Sequence, residues 1–243
     1  MERYVSIDQI TIPKRFCGPP ESGNGGYVCG LLAGYVEGDA EVTLRLPPPL
    51  ERPLDVVRDG DGGPRLMDGD KVVAEARPAE IEVAAPAAPS WDEAAVAAKR
   101  GYANRGNEQY NSCWVCGLDR GPGDGLCIFP GPITEGSHTM AATWIPDATV
   151  AHPDGIVPPE IVWSALDCPS GFPYIQPSGV VVLGRYAVKR MAPIRRDERY
   201  IIRGWRTGDD ARKLFSASAL YGEDGTLCAV AKATWIQIEG EQS

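Results

Sequence analysis

Residues 154–172, D-G-I-V-P-P-E-I-V-W-S-A-L-D-C-P-S-G-F, constrain the fold of this chain more than any other stretch. Pro158 and Pro159 suit the first positions of a helix, where a missing N–H costs nothing. Ile161, Val162, Ala165 and Leu166 follow at helical spacing. Pro169 and Gly171 predict where the helix stops. A short helix this apolar has to be buried, so the rest of its domain must wrap around it. Near its end one acid, Asp167, stands between Leu166 and Cys168. A carboxylate in such surroundings must be paired or used.

An earlier stretch has the same design. Gly23, Asn24, Gly25 and Gly26 lead into an apolar run over 27–36, which Glu37 and Gly38 end. Two small-residue starts, each followed by a short apolar helix and strand-like sequence, indicate an internal duplication. Around the first helix, strands are predicted at 6–13, 40–46, 54–58, 65–67 and 71–83, with an Asp- and Gly-rich turn at 59–63. Residues 84–90 have the composition of a linker, and 91–100 predict a helix that Ser90 can cap. Residues 104–111 are polar and irregular, 113–132 are Gly-rich with strand potential at 126–129, and 138–145 predict a strand. After the second helix, long strands are expected at 180–191, 199–206, 212–221 and 227–238. Turns at 193–198 and 207–210 and an Asp224–Gly225 hairpin join them. This is an α+β architecture of antiparallel strands, each unit wrapping one helix. Its expected parts are an N-terminal unit at 1–83, a linker with a short helix at 84–106 and a C-terminal unit at 107–243.

The net charge of −9 over 243 residues argues against nucleic acid as a general partner. No apolar run reaches the roughly 18 residues of a membrane helix. Met1, Glu2, Arg3 and Tyr4 do not begin a basic region followed by an apolar one, so no signal peptide is expected. Seven cysteines at irregular spacings read as reduced, cytoplasmic thiols rather than a disulfide framework.

Several motifs together resemble the hotdog-fold acyl-CoA thioesterase superfamily in its double, fused form. The C-terminal half resembles thioesterases of the phenylacetate-pathway and 4-hydroxybenzoyl-CoA type. N-S-C-W-V-C-G at 111–117, with Gly125-Leu126, is similar to the family's C-x-x-C-G opening. G-I-V-P-P-E…A-L-D-C-P-S-G resembles the motif in which G-x-x-H-G-G starts the helix and an acid follows. V-L-G-R-Y at 182–186 and the stretch 218–236 are similar to the family's last strands. In the second unit H-G-G falls on Pro158, Pro159 and Glu160, and Pro159 has no N–H to offer. In the first unit it falls on Asn24, Gly25 and Gly26, but the acid position there is Ala33. The resemblance implies that the helix start of one unit faces the acid of the other. One composite site would then combine Asn24, Gly25 and Gly26 with Asp167, and the reciprocal site would be dead.

At that site the Gly26 or Tyr27 N–H would stabilise the oxyanion of a thioester under attack, helped by the helix dipole. Gly25 would let the substrate approach the backbone. Asp167 would act as general base or nucleophile, and Asn24 would orient the carbonyl or the water. Against this stand plainer readings: Asp167 as a helix-terminal cap, and 23–26 as a tight turn for close packing. Arg185, Lys189, Arg190, Arg195, Arg196, Arg199 and Arg203 crowd a stretch with only Asp197 and Glu198 opposing them. Arg195 and Arg196 are candidates for coenzyme A phosphates, and a solvated turn is the alternative. Cys113 and Cys116, with Cys127 and His138, have some of the character of a zinc site, but the resemblance implies no metal and no cofactor. The expected function is hydrolysis of an acyl-CoA or acyl-carrier-protein thioester by a homo-oligomer, most simply a dimer. The alternatives are a non-catalytic acyl-CoA or lipid-binding protein and a hotdog enoyl-CoA hydratase, with His152 and Asp154 beside the second helix.

Overall fold

Alternating apolar and polar residues build antiparallel strands that join into one sheet carrying helices on both faces. The computed structural model describes residues 5–58, 60, 62–103, 110–175 and 180–238. In chain order the elements are β1 (Val5–Thr11), α1 (Gly25–Ala33), β2 (Ala40–Leu44), β3 (Pro53–Arg58), β4 (Arg65–Asp68), β5 (Lys71–Pro78) and α2 (Trp91–Ala103). There follow β6 (Gly131–Pro132), β7 (Met140–Trp144), α3 (Pro159–Ile175), β8 (Val180–Arg190), β9 (Tyr200–Asp210), β10 (Lys213–Gly222) and β11 (Leu227–Ile238). The strand order is β1-β3-β4-β5-β2-β8-β11-β10-β9-β7-β6. The two halves are stitched where β2 pairs with β8, from Ala40 opposite Val188 to Thr43 opposite Arg185.

The period of two sorts the strand side chains between faces. Val42, Tyr186, Ala231, Leu220 and Ile202 join the core around α1 and α3. Ala141, Ile201, Ala219 and Val230 point the other way, where Ala94 and Ala97 of α2 cover them. Ser90 and Glu93 start α2 with a reciprocal capping box: the Ser90 N–H donates to Glu93 Oε2 (2.8 Å) and the Glu93 N–H to Ser90 Oγ (3.3 Å). The stretch 84–90 is held on the sheet, since Tyr221 Oη donates to Pro86 O and Arg203 Nη1 to Ala87 O.

The second apolar helix does not stop at Pro169. It runs on through Gly171 and Pro173 to Ile175. Each internal proline removes one backbone bond, a loss that usually breaks a helix. Here the sheet supplies side-chain donors to neighbouring carbonyls. Ser218 Oγ donates to Leu166 O (2.7 Å), Arg206 Nε to Pro173 O (2.8 Å) and Tyr186 Oη to Trp163 O (3.1 Å), while Ser170 Oγ donates to Asp167 O (2.7 Å). Trp235 Nε1 donates in turn to Ser170 Oγ (3.0 Å). Strand β9 meets the helix at Gly204, where an added Cβ would lie 1.8 Å from Pro169 O.

Other elements also differ from expectation. Helix α1 ends at Ala33, and Tyr35 and Val36 close a tight turn by bonding to Leu32 O and Ala33 O. Residues 126–129 form no strand. Cys127 takes a left-handed backbone (φ 52°), and Leu126 and Ile128 bond instead to Trp114 O and Val115 O. The turn expected at 207–210 lies within β9; Asp210 faces Lys213, and the reversal is the two residues Ala211 and Arg212. Strand β5 stops at Pro78, short of the expected 83. The irregular segment expected at 104–111 falls largely outside the described residues, as do Asp59 and Asp61 of the first turn.

Stability measurements on three variants check these contacts. Gly204→Ala should cost about 3 kcal/mol in urea unfolding. Gly121→Ala, where an added Cβ meets nothing within 4 Å, should change stability by less than about 0.5 kcal/mol. Ser218→Ala should cost about 1–3 kcal/mol, because it strips a buried carbonyl of a donor.

Candidate active site

The start of α1 is shaped by its cap. Asn24 has extended backbone (ψ 129°), and its Oδ1 accepts from the Tyr27 N–H at 2.9 Å. That bond fixes the side chain so that Nδ2 points away from its own helix. Along α1, Gly26 and Gly30 lie one turn apart on the side that meets α3. A Cβ at Gly26 would lie 2.6 Å from Asp167 Cβ and 2.8 Å from Trp163 O, and one at Gly30 would lie 2.5 Å from Glu160 Cα. The helices therefore pack backbone against backbone. The pairing also gives their sense: the start of α1 lies beside Asp167, and its later turn lies beside the start of α3.

This crossing brings Asp167 to the cap. Asp167 Oδ2 accepts from Asn24 Nδ2 at 2.9 Å and from the Gly26 N–H at 2.9 Å. The other oxygen, Oδ1, is buried with no hydrogen-bond partner among the described residues. Asp167 is 2% exposed and Asn24 3%. Burial pushes the Asp167 carboxyl up to about 7, against the Gly26 and Asn24 bonds that favour its ionised form. Asp167 is therefore not an exposed helix-terminal cap; it joins residues 141 and 143 positions away in sequence.

Both backbone donors expected at the oxyanion position are engaged, Gly26 with Asp167 and Tyr27 with Asn24. Asn24 uses both ends of its amide in the same way, so it orients the acid rather than standing free for a carbonyl. Gly25 faces Leu183 and Leu44; a Cβ there would lie 2.9 Å from Leu183 Cδ2. The Tyr27 ring stacks on Phe16 at 4.0 Å with Trp114 edge-on at 6.0 Å, and burial pushes its hydroxyl up to about 12. Tyr27, Trp163 and Phe172 are all buried.

Arg195 and Arg196 do not join this group. They are exposed, on a turn after β8 that bonds to the loop leading into α3, through Arg196 N to Gly155 O and Val157 N to Ile194 O. Asp167 lies about 12 Å further along the α3 axis than Pro159. These arginines thus sit by the other helix start, where Glu160 packs on Gly30. His138, His152 and Asp154 are exposed on loops. A surface cavity of about 230 Å³ lies elsewhere, lined by residues that include Arg45, Arg65, Arg77 and Arg185.

Cys113, Cys116 and Cys168 converge, their sulfurs all within 4.8 Å of one another. Cys127 and His138, the downstream residues weighed with the C-x-x-C pair, are not part of that group. The third thiol comes from α3, directly after Asp167. Its position beside the acid was visible in the sequence, but nothing there showed that it faces the C-x-x-C turn. Ser170, Ser218 and Tyr186 were likewise unread as supports of α3, because only the packed sheet shows which carbonyls they reach.

The sequence matches no protein-family model and no curated protein. Solved structures do match in shape. The tesB protein of Mycobacterium avium subsp. paratuberculosis is 12% identical, with 98% of this chain and 96% of that chain covered at a TM-score of 0.61. A conserved protein of unknown function with a hot dog fold from Alicyclobacillus acidocaldarius is 11% identical, with 98% and 97% covered and a TM-score of 0.61. With one antiparallel sheet and two central helices that repeat the same strand–helix–strand design, the chain has a double hotdog fold.

Proposed function

We propose that this protein hydrolyses an acyl thioester, on coenzyme A or a carrier protein, at the single site formed by Asn24, Gly26 and Asp167. One observation carries the reading: Asp167 is held by Oδ2 through two donors from the other half, while Oδ1 is buried and has no partner among the described residues. A structural acid usually satisfies both oxygens, and an orphaned one is costly. In this reading Oδ1 takes a proton from an attacking water, or attacks the thioester carbon itself. Negative charge then develops on the carbonyl oxygen. The Gly26 N–H, in the first turn of α1 where the helix dipole favours an anion, serves that oxygen by exchanging it for Oδ2. The C–S bond breaks, and the thiolate leaves and takes up a proton; in the nucleophilic route water then cleaves the mixed anhydride, which releases the acid and restores the Asp167 carboxylate. Asn24 is a positioning residue in this scheme, because it touches the acid rather than the reacting atoms. The two hotdog units are taken as residues 1–83 and 107–243. The seven cysteines form no disulfide with one another, which fits a reducing, cytoplasmic setting, and the exposed Val5 and Ile7 on edge strand β1 suit a homodimer.

A second reading has its own support. Both backbone donors are already bonded within the protein, and the acid is 2% exposed, which suits a protein that binds acyl-CoA without turning it over.

Hydrolysis of short, medium, long and aromatic acyl-CoAs, followed by free-thiol release, separates the two. Asp167→Asn keeps an acceptor for Asn24 and Gly26, so the protein should fold while kcat falls about 10²-fold or more. Binding of acyl-CoA with no turnover by the unmodified protein would establish the second reading. Asn24→Ala should lower kcat and also cost about 1–2 kcal/mol, since a helix cap and a buried bond go together.

A further inference from the structure

We propose that Cys113, Cys116 and Cys168 form a three-thiolate site for a soft, thiophilic metal cation, of which zinc is the fitting ion. Three sulfurs converge within 4.8 Å, and Cys113 Sγ and Cys168 Sγ are 3.7 Å apart. Two thiolates bound tetrahedrally to zinc, each at about 2.3 Å, stand about 3.8 Å from each other. A disulfide would need about 2.05 Å, so the pair is spaced for a shared ligand rather than a bond between the sulfurs. Two thiols in simple contact would show a similar distance; the third sulfur, Cys116 Sγ, within 4.8 Å of both, is what makes the group a cage.

Each element presents its sulfur for a structural reason. Cys113 and Cys116 lie on one tight turn, in which the Gly117 N–H donates to Cys113 O at 2.7 Å. A Cβ at Gly117 would lie 2.2 Å from Asn111 O, so the turn closes only with glycine. Cys168 projects from α3. All three are buried, at 3%, 2% and 8% exposure. The donor set contains no carboxylate or imidazole, which selects zinc or monovalent copper over magnesium or calcium. Three protein ligands leave the fourth zinc position to a small exogenous ligand.

A metal here would fasten the 113–117 turn to α3 beside Asp167. The same turn touches the first half, where the Trp114 N–H donates to Cys17 O (3.0 Å), and the neighbouring Phe16 O accepts from the Asn24 N–H (2.8 Å). The site would thus tie together the supports of both sides of the Asn24–Asp167 contact. The inference does not depend on the thioesterase reading, and its test needs no turnover.

The test is the metal content of the full chain, expressed with added zinc and purified without chelator, compared with Cys116→Ser, Cys168→Ser and Cys127→Ser. About one zinc per chain is expected in the unmodified protein and in Cys127→Ser, and at least about 10-fold less in the other two. Stripped protein titrated with Cd2+ should develop a sulfur-to-cadmium charge-transfer band that saturates at about one ion per chain. This titration decides the matter if Cys168→Ser fails to fold. Copper in place of zinc would also support the site. Metal-free protein with no cadmium band, or full metal retention in Cys116→Ser, would overturn it.

Discussion

The close crossing of α1 on α3 is the constraint on which the rest depends. Gly26 and Gly30 have no Cβ, so the two helix backbones touch where any side chain would lie within about 2.6 Å of the partner. Only at that separation can Asp167 reach both the Gly26 N–H and the Asn24 amide. The contact joins two halves that also meet along the strand pair β2 with β8 and where the Trp114 N–H donates to Cys17 O. A polar cluster at the centre of an apolar core is costly unless satisfied, and here three of its groups satisfy one another. The exception is Asp167 Oδ1, which has no partner among the described residues.

The sheet completes what the helices begin. Helix α3 carries two internal prolines and still runs 17 residues. Serine, tyrosine and arginine side chains from β8, β9 and β10 donate to three of its carbonyls, those of Leu166, Trp163 and Pro173, and hold it against the sheet. Gly204 lets β9 come up against the Pro169 carbonyl. The helix that bears the acid is therefore positioned from the strand side as well as from α1, and the acid's direction is determined by many weak contacts rather than one.

The two halves repeat a design and divide its functions. The start of α1 keeps its glycines and its cap, while the start of α3 has Pro159, which has no N–H to donate. The acid stands on α3, and the corresponding place on α1 is Ala33. Because the helices run in opposite senses, the retained donor end and the retained acid fall at the same end of the pair. The other end brings Glu160 against Gly30, close to the turn that carries Arg195 and Arg196.

Much of this was legible in the residues alone. The period-two alternation of β2 and β8–β11, the proline start of α3, the Ser90 cap and the pairing of Asn24 and Gly26 with Asp167 all follow from local patterns or from the resemblance those patterns carry. The sequence by itself determined which residues are apolar, where helices begin, and that one half lacks the donor and the other the acid. Only the tertiary structure decided that α3 continues past Pro169, that 126–129 is no strand, that Arg195 and Arg196 sit by the start of α3 rather than beside Asp167, and that Cys168 meets the C-x-x-C turn. The physical reason is the same in each case. Helix starts and strand faces are set by neighbours a few residues away, whereas the side-chain donors to the carbonyls of α3 and the convergence of three thiols depend on groups tens of residues distant, brought together only when the core closes.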